Sequence, residues 1–389
     1  MRFFLMSLFI GVIFLSCSED SVIKHTDDTK NSIKFNDIIV SDLKETNVNE
    51  DHVSEGIMVT LSNGDILNFY RNDPQKEGNH IGNSGRIVKR KSSDGGETWE
   101  NEVVVFSDQY DDRNIRGGIT DEGYIILFFR RFNAENRATI DLNYIISFDN
   151  GVSWTERKVI EFDTSIAEEV WFDNIINLKN GKYLMPIHGI SYCEVRYLSI
   201  VDKDIRLSEK KWSWDYTGNS LMKIDEPMFT YLGDGNIIGL FRDDSKEKGS
   251  NYLQVTSSNY GQTWTQPDRT NICKPLFSPS PLIFYDDKIE RLIVVGTDRR
   301  QPRNGGHKQR DAEIWVYVNK IEEVFNKPKN YNLIKRFSRP KPENYQFYGY
   351  PCYAKKNNKK SEFLIVVSDS YNDGVNEDSD HYQFKISFE

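Results

Sequence analysis

Three copies of one short pattern recur in this chain: Ser92-x-Asp94-x-Gly96-x-x-Trp99, Ser147-x-Asp149-x-Gly151-x-x-Trp154 and Ser257-x-Asn259-x-Gly261-x-x-Trp264. Trp99 and Trp154 are 55 residues apart, and Trp154 and Trp264 are 110 apart, twice that interval. A fixed period of this size marks a repeat architecture and constrains the fold more than any other feature. Within each copy the Asp or Asn side chain can bond nearby backbone N–H groups, Gly supplies a positive φ, and the Trp folds back to bury its ring. A missing copy is expected near residue 209. Trp212 and Trp214 stand close to that point, as if one repeat had lost its motif and kept an aromatic.

A second repeat runs out of phase with the first. Six segments pair a turn with an apolar run of strand length: Ser62–Arg71, Asp121–Arg130, Lys179–His188, Gly233–Arg242, Asp287–Arg299 and Lys360–Asp369. Continuous apolar runs of this length suit strands packed on both faces. Six units predict six blades around an axis. The chain has 389 residues, of which 13% are aromatic. That length suits one large all-β domain. Ring closure is expected from a strand near residues 36–43 beside the C-terminal strand at 382–388.

The ends of these runs carry the functional signal. Arg71, Arg130, His188, Arg242 and Arg299 finish homologous strands where inner strands reach the mouth of a central funnel. Arg116 begins another inner strand there. Arginine is seldom buried without a partner, so a set converging on one axis points to a shared anionic ligand. The formal net charge of −9 and the lack of a long basic run argue against nucleic acid.

The N-terminus reads as an address. Arg2 is followed by the apolar run Phe3–Leu15 and then Ser16-Cys17-Ser18. This predicts a lipoprotein signal peptide over 1–17 with Cys17 acylated, a polar tether over 18–35, and a propeller over 36–389. Ser18-Glu19-Asp20 resembles the export signal of Bacteroidetes surface lipoproteins. The expected location is a bacterial cell envelope, with membrane contact only through the lipid anchor. The remaining cysteines, Cys193, Cys273 and Cys352, are odd in number and irregularly spaced, and read as buried free thiols. The six histidines show no metal-ligand spacing, so neither a metal nor another cofactor is expected.

The Ser-x-Asp-x-Gly-x-x-Trp pattern resembles the Asp-box, or BNR repeat, of the sialidase superfamily, over about residues 50–389. The resemblance implies an all-β, six-bladed β-propeller of four-stranded blades, in which the box closes the hairpin between third and fourth strands. It also implies roles for residues. Glu226 and Arg242 have the spacing of a Glu that starts an inner strand and an Arg that ends the next. Tyr350, in Gly349-Tyr350-Pro351, matches the place of the nucleophilic tyrosine. Arg310 is the nearest match to a carboxylate-binding arginine of the fifth blade. Two positions depart from the pattern. Ser54-Glu55-Gly56 stands where an arginine belongs, and His80 stands where an acid/base aspartate belongs.

These residues suit an exo-acting glycoside hydrolase on a terminal acidic sugar of a glycan or polysaccharide. Glu226 would take the proton of Tyr350, a nucleophile suited to an anionic sugar that would repel a carboxylate. Arg242 and Arg310 would hold the substrate carboxylate, and His80 would act as acid/base. Two alternatives stay open. One is a uronic-acid polysaccharide lyase using Arg242, His80, His188 and Tyr350. The other is a non-catalytic, glycan-binding propeller. In each case the expected partner is an anionic oligo- or polysaccharide, met by a monomer.

Overall fold

The structure is a computed structural model. It describes residues 37–46, 51–74, 80–161, 170–219, 222–245, 251–272, 280–297, 312–339, 345–356, 361–372 and 377–389. Cys17, Arg299, Arg310 and Cys273 lie outside the described residues. Asp37–Glu389 forms one compact unit.

Six antiparallel sheets follow one another along the chain as the blades of a propeller. Each starts with a first strand: His52–Thr60 in blade one, Asp111–Ile119 in blade two, Ile224–Gly233 in blade four, Leu282–Asp286 in blade five and Tyr345–Lys355 in blade six. In blade three that strand is broken into Trp171–Phe172 and Ile176–Asn177. The six apolar runs form the second strands. Ile66–Asp73, Ile125–Asn133, Tyr183–Gly189, Asn236–Asp243, Arg291–Thr297 and Glu362–Asn372 occupy the second position in their blades. Their interiors are buried on both faces, as in Ile237, Ile238, Leu240 and Phe241, each 0% exposed. Blade six takes its outer strand from the other end of the chain: Ile38–Val40 pairs antiparallel with His381–Phe388. The ring is thus closed where the sequence places the closure.

The three boxes have one geometry. The Ser hydroxyl accepts the N–H of the box Gly at 2.8 Å for Ser92 and Gly96, 2.8 Å for Ser147 and Gly151, and 3.0 Å for Ser257 and Gly261. The Asp or Asn carbonyl oxygen accepts the N–H four residues on, from Thr98, Ser153 and Thr263. Only that oxygen is required, so Asn259 serves as well as Asp94 or Asp149. The box then packs on the preceding blade. Trp99 donates to Gln383 of blade six at 3.3 Å, and Trp154 stands edge-on to Phe69 of blade one. A Cβ on Gly261 would press on Leu184 of blade three. The boxes therefore act as inter-blade wedges as well as turns.

Blade three closes its third hairpin differently from the sequence expectation. Asp202 and Lys203, at φ 52° and 62°, make a two-residue turn between Tyr192–Val201 and Asp204–Leu207. Trp214 is not a leftover box tryptophan. It lies on the second outer segment, Trp212–Asp215, and packs forward on Phe229, Phe241 and Trp264 of blade four.

Bulges at the mouth bend the first strands. Register shifts fall between Ser54 and Gly56, Arg113 and Arg116, and Asp225 and Met228. The bulged residues Glu55, Asn114 and Glu226 have φ of 46°, 56° and 38°. Two shifts flank the same region of blade six, between Phe347 and Gly349 and between Gly349 and Cys352. Bulges re-aim side chains and cluster beside functional sites, and a left-handed φ on a non-glycine residue costs about 1–3 kcal/mol. Gly117, just past the blade-two bulge, has φ 140°, and a Cβ there would lie 1.9 Å from the Ile126 carbonyl oxygen. Gly117→Ala is expected to cost more than about 2 kcal/mol, read as a lowered midpoint in urea unfolding. An unchanged midpoint would contradict this strand path.

Candidate functional site

The mouth is the end at which first strands begin and second strands finish. At that end polar side chains of adjacent blades meet in a series of cross-blade pairs. Arg71, at the end of the blade-one second strand, is fully buried, with Nε 2.7 Å from Asp111 Oδ1 of blade two and Nη2 3.5 Å from Asp73. Arg113 of blade two donates to Glu55 of blade one at 3.1 Å and contacts Asp111 at 3.4 Å. Arg116 reaches Asp173 of blade three at 3.5 Å and the Ile115 carbonyl at 3.0 Å. His188 of blade three places Nδ1 3.5 Å from Asp225 of blade four and its ring edge against Trp171. Ser280, before the first strand of blade five, donates to Glu226 of blade four at 2.9 Å.

Glu226 is the centre of the blade-four part. Its bulged backbone starts the first strand, and its carboxylate, 5% exposed, accepts Arg242 Nη1 at 2.8 Å. Each nitrogen of Arg242 already meets a carboxylate of the protein. Its Nε and Nη2 donate to the two oxygens of Asp244 at 2.6 and 2.8 Å. Burial disfavours the Arg242 charge, but Glu226, Asp225 and Asp244 outweigh burial and hold the guanidinium far above its ordinary pKa. Asp244 is pushed up by burial, and by Asp225 and Glu226, because three carboxylates share one cation.

The other expected site residues are placed as follows. Arg130 lies with its guanidinium 4.8 Å from the Phe132 ring centroid and 4.9 Å from that of Trp171, and it donates to Thr139. Arg71 does not present its guanidinium to the funnel, because Asp111 and Asp73 enclose it. His80 sits between blades one and two, with Nε2 3.2 Å from Arg113 and its ring 5.6 Å from that of His52. Tyr350 lies, by its backbone, in the bulged start of the blade-six first strand. Thus Arg71 and His80 share one cluster through Arg113 and Asp111, Glu226 and Arg242 share another, Arg116 pairs with Asp173, and His188 lies beside Asp225. Arg130 stands against Trp171, whose ring also meets His188.

Sequence reasoning missed Arg113, Asp173 and Asp225 at this mouth. Arg116 is the start expected on its strand, and the bulge between Arg113 and Arg116 leaves Arg113 as the side chain that meets blade one. Glu55 lies in Ser54-Glu55-Gly56, the segment in which the resemblance would place an arginine, and the arginine it binds comes from the neighbouring blade. Burial alone would raise the Glu55 carboxyl, but Arg113, Arg71 and the Asn114 amide outweigh it and hold it below the ordinary range. Asp173 goes the other way: burial raises it against the pull of Arg116 and His188. Cys193 and Cys352 are buried free thiols pushed up by burial, to about 12 for Cys352. Among the described residues no group of three or more His, Cys, Asp or Glu is arranged to hold a metal ion.

Comparison with known proteins agrees with this architecture. The family profile described as a BNR repeat-like domain matches residues 118–277. No curated protein sequence matches the chain. Among solved structures, a protein of unknown function from Dyadobacter fermentans DSM 18053 superposes with a TM-score of 0.64 at 14% identity, covering 90% of this chain and 99% of that one. The intramolecular trans-sialidase of Ruminococcus gnavus gives 0.61 at 11% identity, covering 86% and 94%. The NanB sialidase of Streptococcus pneumoniae gives 0.59 at 11% identity, covering 88% and 70%. Identities this low speak for the fold alone.

One buried acid at the mouth yields a stability prediction. Asp112 is 0% exposed and accepts the Asp108 N–H at 3.2 Å. Burial first, then the charge of Asp108, raises its carboxyl from 3.8 to about 8. The folded protein keeps this proton across a window in which the unfolded chain has lost it. Stability therefore falls as pH rises from the ordinary carboxylate range towards about 8. Asp112→Asn should raise the thermal midpoint at about pH 9, with the gain shrinking to nothing towards about pH 4. A gain that is the same at both pH values would refute this origin. The chain is a six-bladed β-propeller of sialidase-like fold that carries a BNR repeat-like domain.

Proposed function

We propose that this protein is a glycoside hydrolase working at the funnel mouth on a terminal acidic sugar of a glycan or polysaccharide. The observation that carries the reading is Glu226. It is a buried carboxylate on a left-handed bulge, held from two sides by Arg242 and Ser280, on the first strand of blade four. A strained, buried acid with its orientation fixed by two neighbours is what an active-site base requires.

In this reading Glu226 takes the phenol proton of Tyr350, and the phenolate attacks the anomeric carbon as the bond to the leaving oxygen breaks. The leaving alkoxide takes a proton from a water on the His80 side. The hydroxide so formed cleaves the glycosyl–tyrosine bond, and the proton held by Glu226 returns to the phenolate. A neutral tyrosine titrates near about 10, so it needs such a partner to react at neutral pH. By the family resemblance, Arg310 meets the substrate carboxylate. Arg242 serves chiefly to hold Glu226, since its three nitrogens already lie on carboxylates.

The test is incubation with a panel of sialosides and uronate-terminated oligosaccharides, with products read by mass spectrometry. The expected product is a released acidic monosaccharide that has gained water. Glu226→Gln and Tyr350→Phe should each lower turnover by about 100-fold or more, with the fold intact by circular dichroism. Products carrying an ultraviolet-absorbing double bond would make it a lyase. Binding without turnover across the panel would make it a glycan receptor.

A further inference from the structure

His80 lies between the second and third strands of blade one, on the mouth side, and charges from two blades surround it. Arg113 Nη2 lies 3.2 Å from His80 Nε2 and 3.1 Å from Glu55 Oε1. Arg113 Nη1 lies 3.4 Å from Asp111 Oδ2. The other oxygen of Glu55 accepts the Asn114 N–H at 2.5 Å, and Asp111 Oδ2 accepts the Gly82 N–H at 3.2 Å, two residues from His80. The guanidinium is thus seated by two carboxylates that are themselves tied to backbone. Arg113 is 3% exposed and Glu55 1% exposed, so this arrangement has little freedom to swing away.

A guanidinium can only donate. Facing Arg113, the Nε2 of His80 must present its lone pair, and the one proton of the neutral ring then sits on Nδ1. We infer that Arg113, seated by Glu55 and Asp111, is a positioning residue that holds His80 as the neutral Nδ1–H imidazole. In that state His80 does not cycle as a titrating acid–base group. The inference rests on the proposed function only for its use, since the reading above places His80 beside the leaving oxygen.

The groups around the ring support it. His52 and Glu55 come from the first strand of blade one, Arg71 and Asp73 from the second, and Asp111 and Arg113 from the first strand of blade two. Asp111 and Asp73 are taken up by Arg71, and Glu55 by Arg113 and the Asn114 amide. The Nε2 of His80 meets the cation. His52, beside it, is driven well below its ordinary range by burial and by Arg71 and Arg113, so the surroundings disfavour a second imidazolium.

The test is a nitrogen-15 NMR titration of the full chain labelled at histidine, from about pH 5.5 to 8, with His80→Asn to assign the signals. Expected are a protonated Nδ1 and an unprotonated Nε2 that do not change across the range. An Nε2–H tautomer, or conversion to the imidazolium within that range, overturns the inference. Arg113→Met should release the ring, so that His80 titrates in the same window. Arg113→Lys, which restores a donor, should return it to the fixed state. If Arg113→Met leaves the signals unchanged in a folded protein, Arg113 is not the cause. If it does not fold, the titration of the unaltered chain decides alone. The two readings fail separately. A fixed Nδ1–H with no turnover on the glycan panel removes the hydrolase and keeps this assignment. A titrating His80 in an active enzyme does the reverse.

Discussion

A seam between the two ends of the propeller chain sets everything else. Ile38–Val40 bonds to Ile386–Phe388, and Lys44–Glu45 bonds to Tyr382–Gln383 farther along the same strand. A propeller has no outer strand to spare, because each exposed edge would invite pairing with another chain. Lending the last blade a strand from the first residues turns a row of six sheets into a ring. Register matters here, since a slip of one residue would turn Ile386, which is 0% exposed, out of the core. Only a closed ring brings the starts of six first strands to one mouth. Polar contacts between blades one and two, two and three, three and four, and four and five all form there.

Those contacts are poor candidates for net stability and good ones for geometry. Desolvating a guanidinium and a carboxylate costs about as much as their attraction returns, yet removing one partner costs about 3–5 kcal/mol. A pair such as Arg71 with Asp111, both 0% exposed in their side chains, therefore resists substitution without adding much to the fold. The bulges beneath them carry a similar burden, with Glu55, Asn114 and Glu226 all in the left-handed region. Folding energy comes from elsewhere, from the apolar second strands and the wedged boxes. The expense is concentrated at one end of the molecule, as expected where strain is kept for function.

The sequence was most legible where local chemistry repeats. Ser-x-Asp-x-Gly makes the same three hydrogen bonds wherever it occurs, so the period could be counted and the blades numbered. The apolar runs likewise mark second strands, because only those strands are covered on both faces. Legibility ended where the chain departs from alternation. The bulge between Arg113 and Arg116 displaces which side chain meets blade one, and nothing in Asp111-Asp112-Arg113-Asn114 announces it. Cross-blade partners such as Ser280 for Glu226, 54 residues apart, leave no spacing rule to read. In blade three, the turn at Asp202-Lys203 replaced a box by another solution to the same hairpin, so an aromatic near the expected place was misleading.

Charge is distributed unevenly around the mouth, and the imbalance separates tasks. Over blades one to three, among the described residues, Arg71, Arg113, Arg116 and Arg130 stand with Glu55, Asp73, Asp111 and Asp173, and Asp112 keeps its proton, so cations and charged carboxylates match in number. Blade four sets Asp225, Glu226 and Asp244 around Arg242. A ligand carboxylate brought to that place would add a further anion beside one guanidinium, which Coulomb repulsion makes costly. The same surplus favours a different event, the drawing of a proton from a neutral phenol towards Glu226. In the proposed reading an acidic ring thus lies with its carboxylate away from blade four and its anomeric carbon towards it. That orientation follows from electrostatics within this chain. Glu55, in the segment where the resemblance would place an arginine, holds the cation supplied by the neighbouring blade.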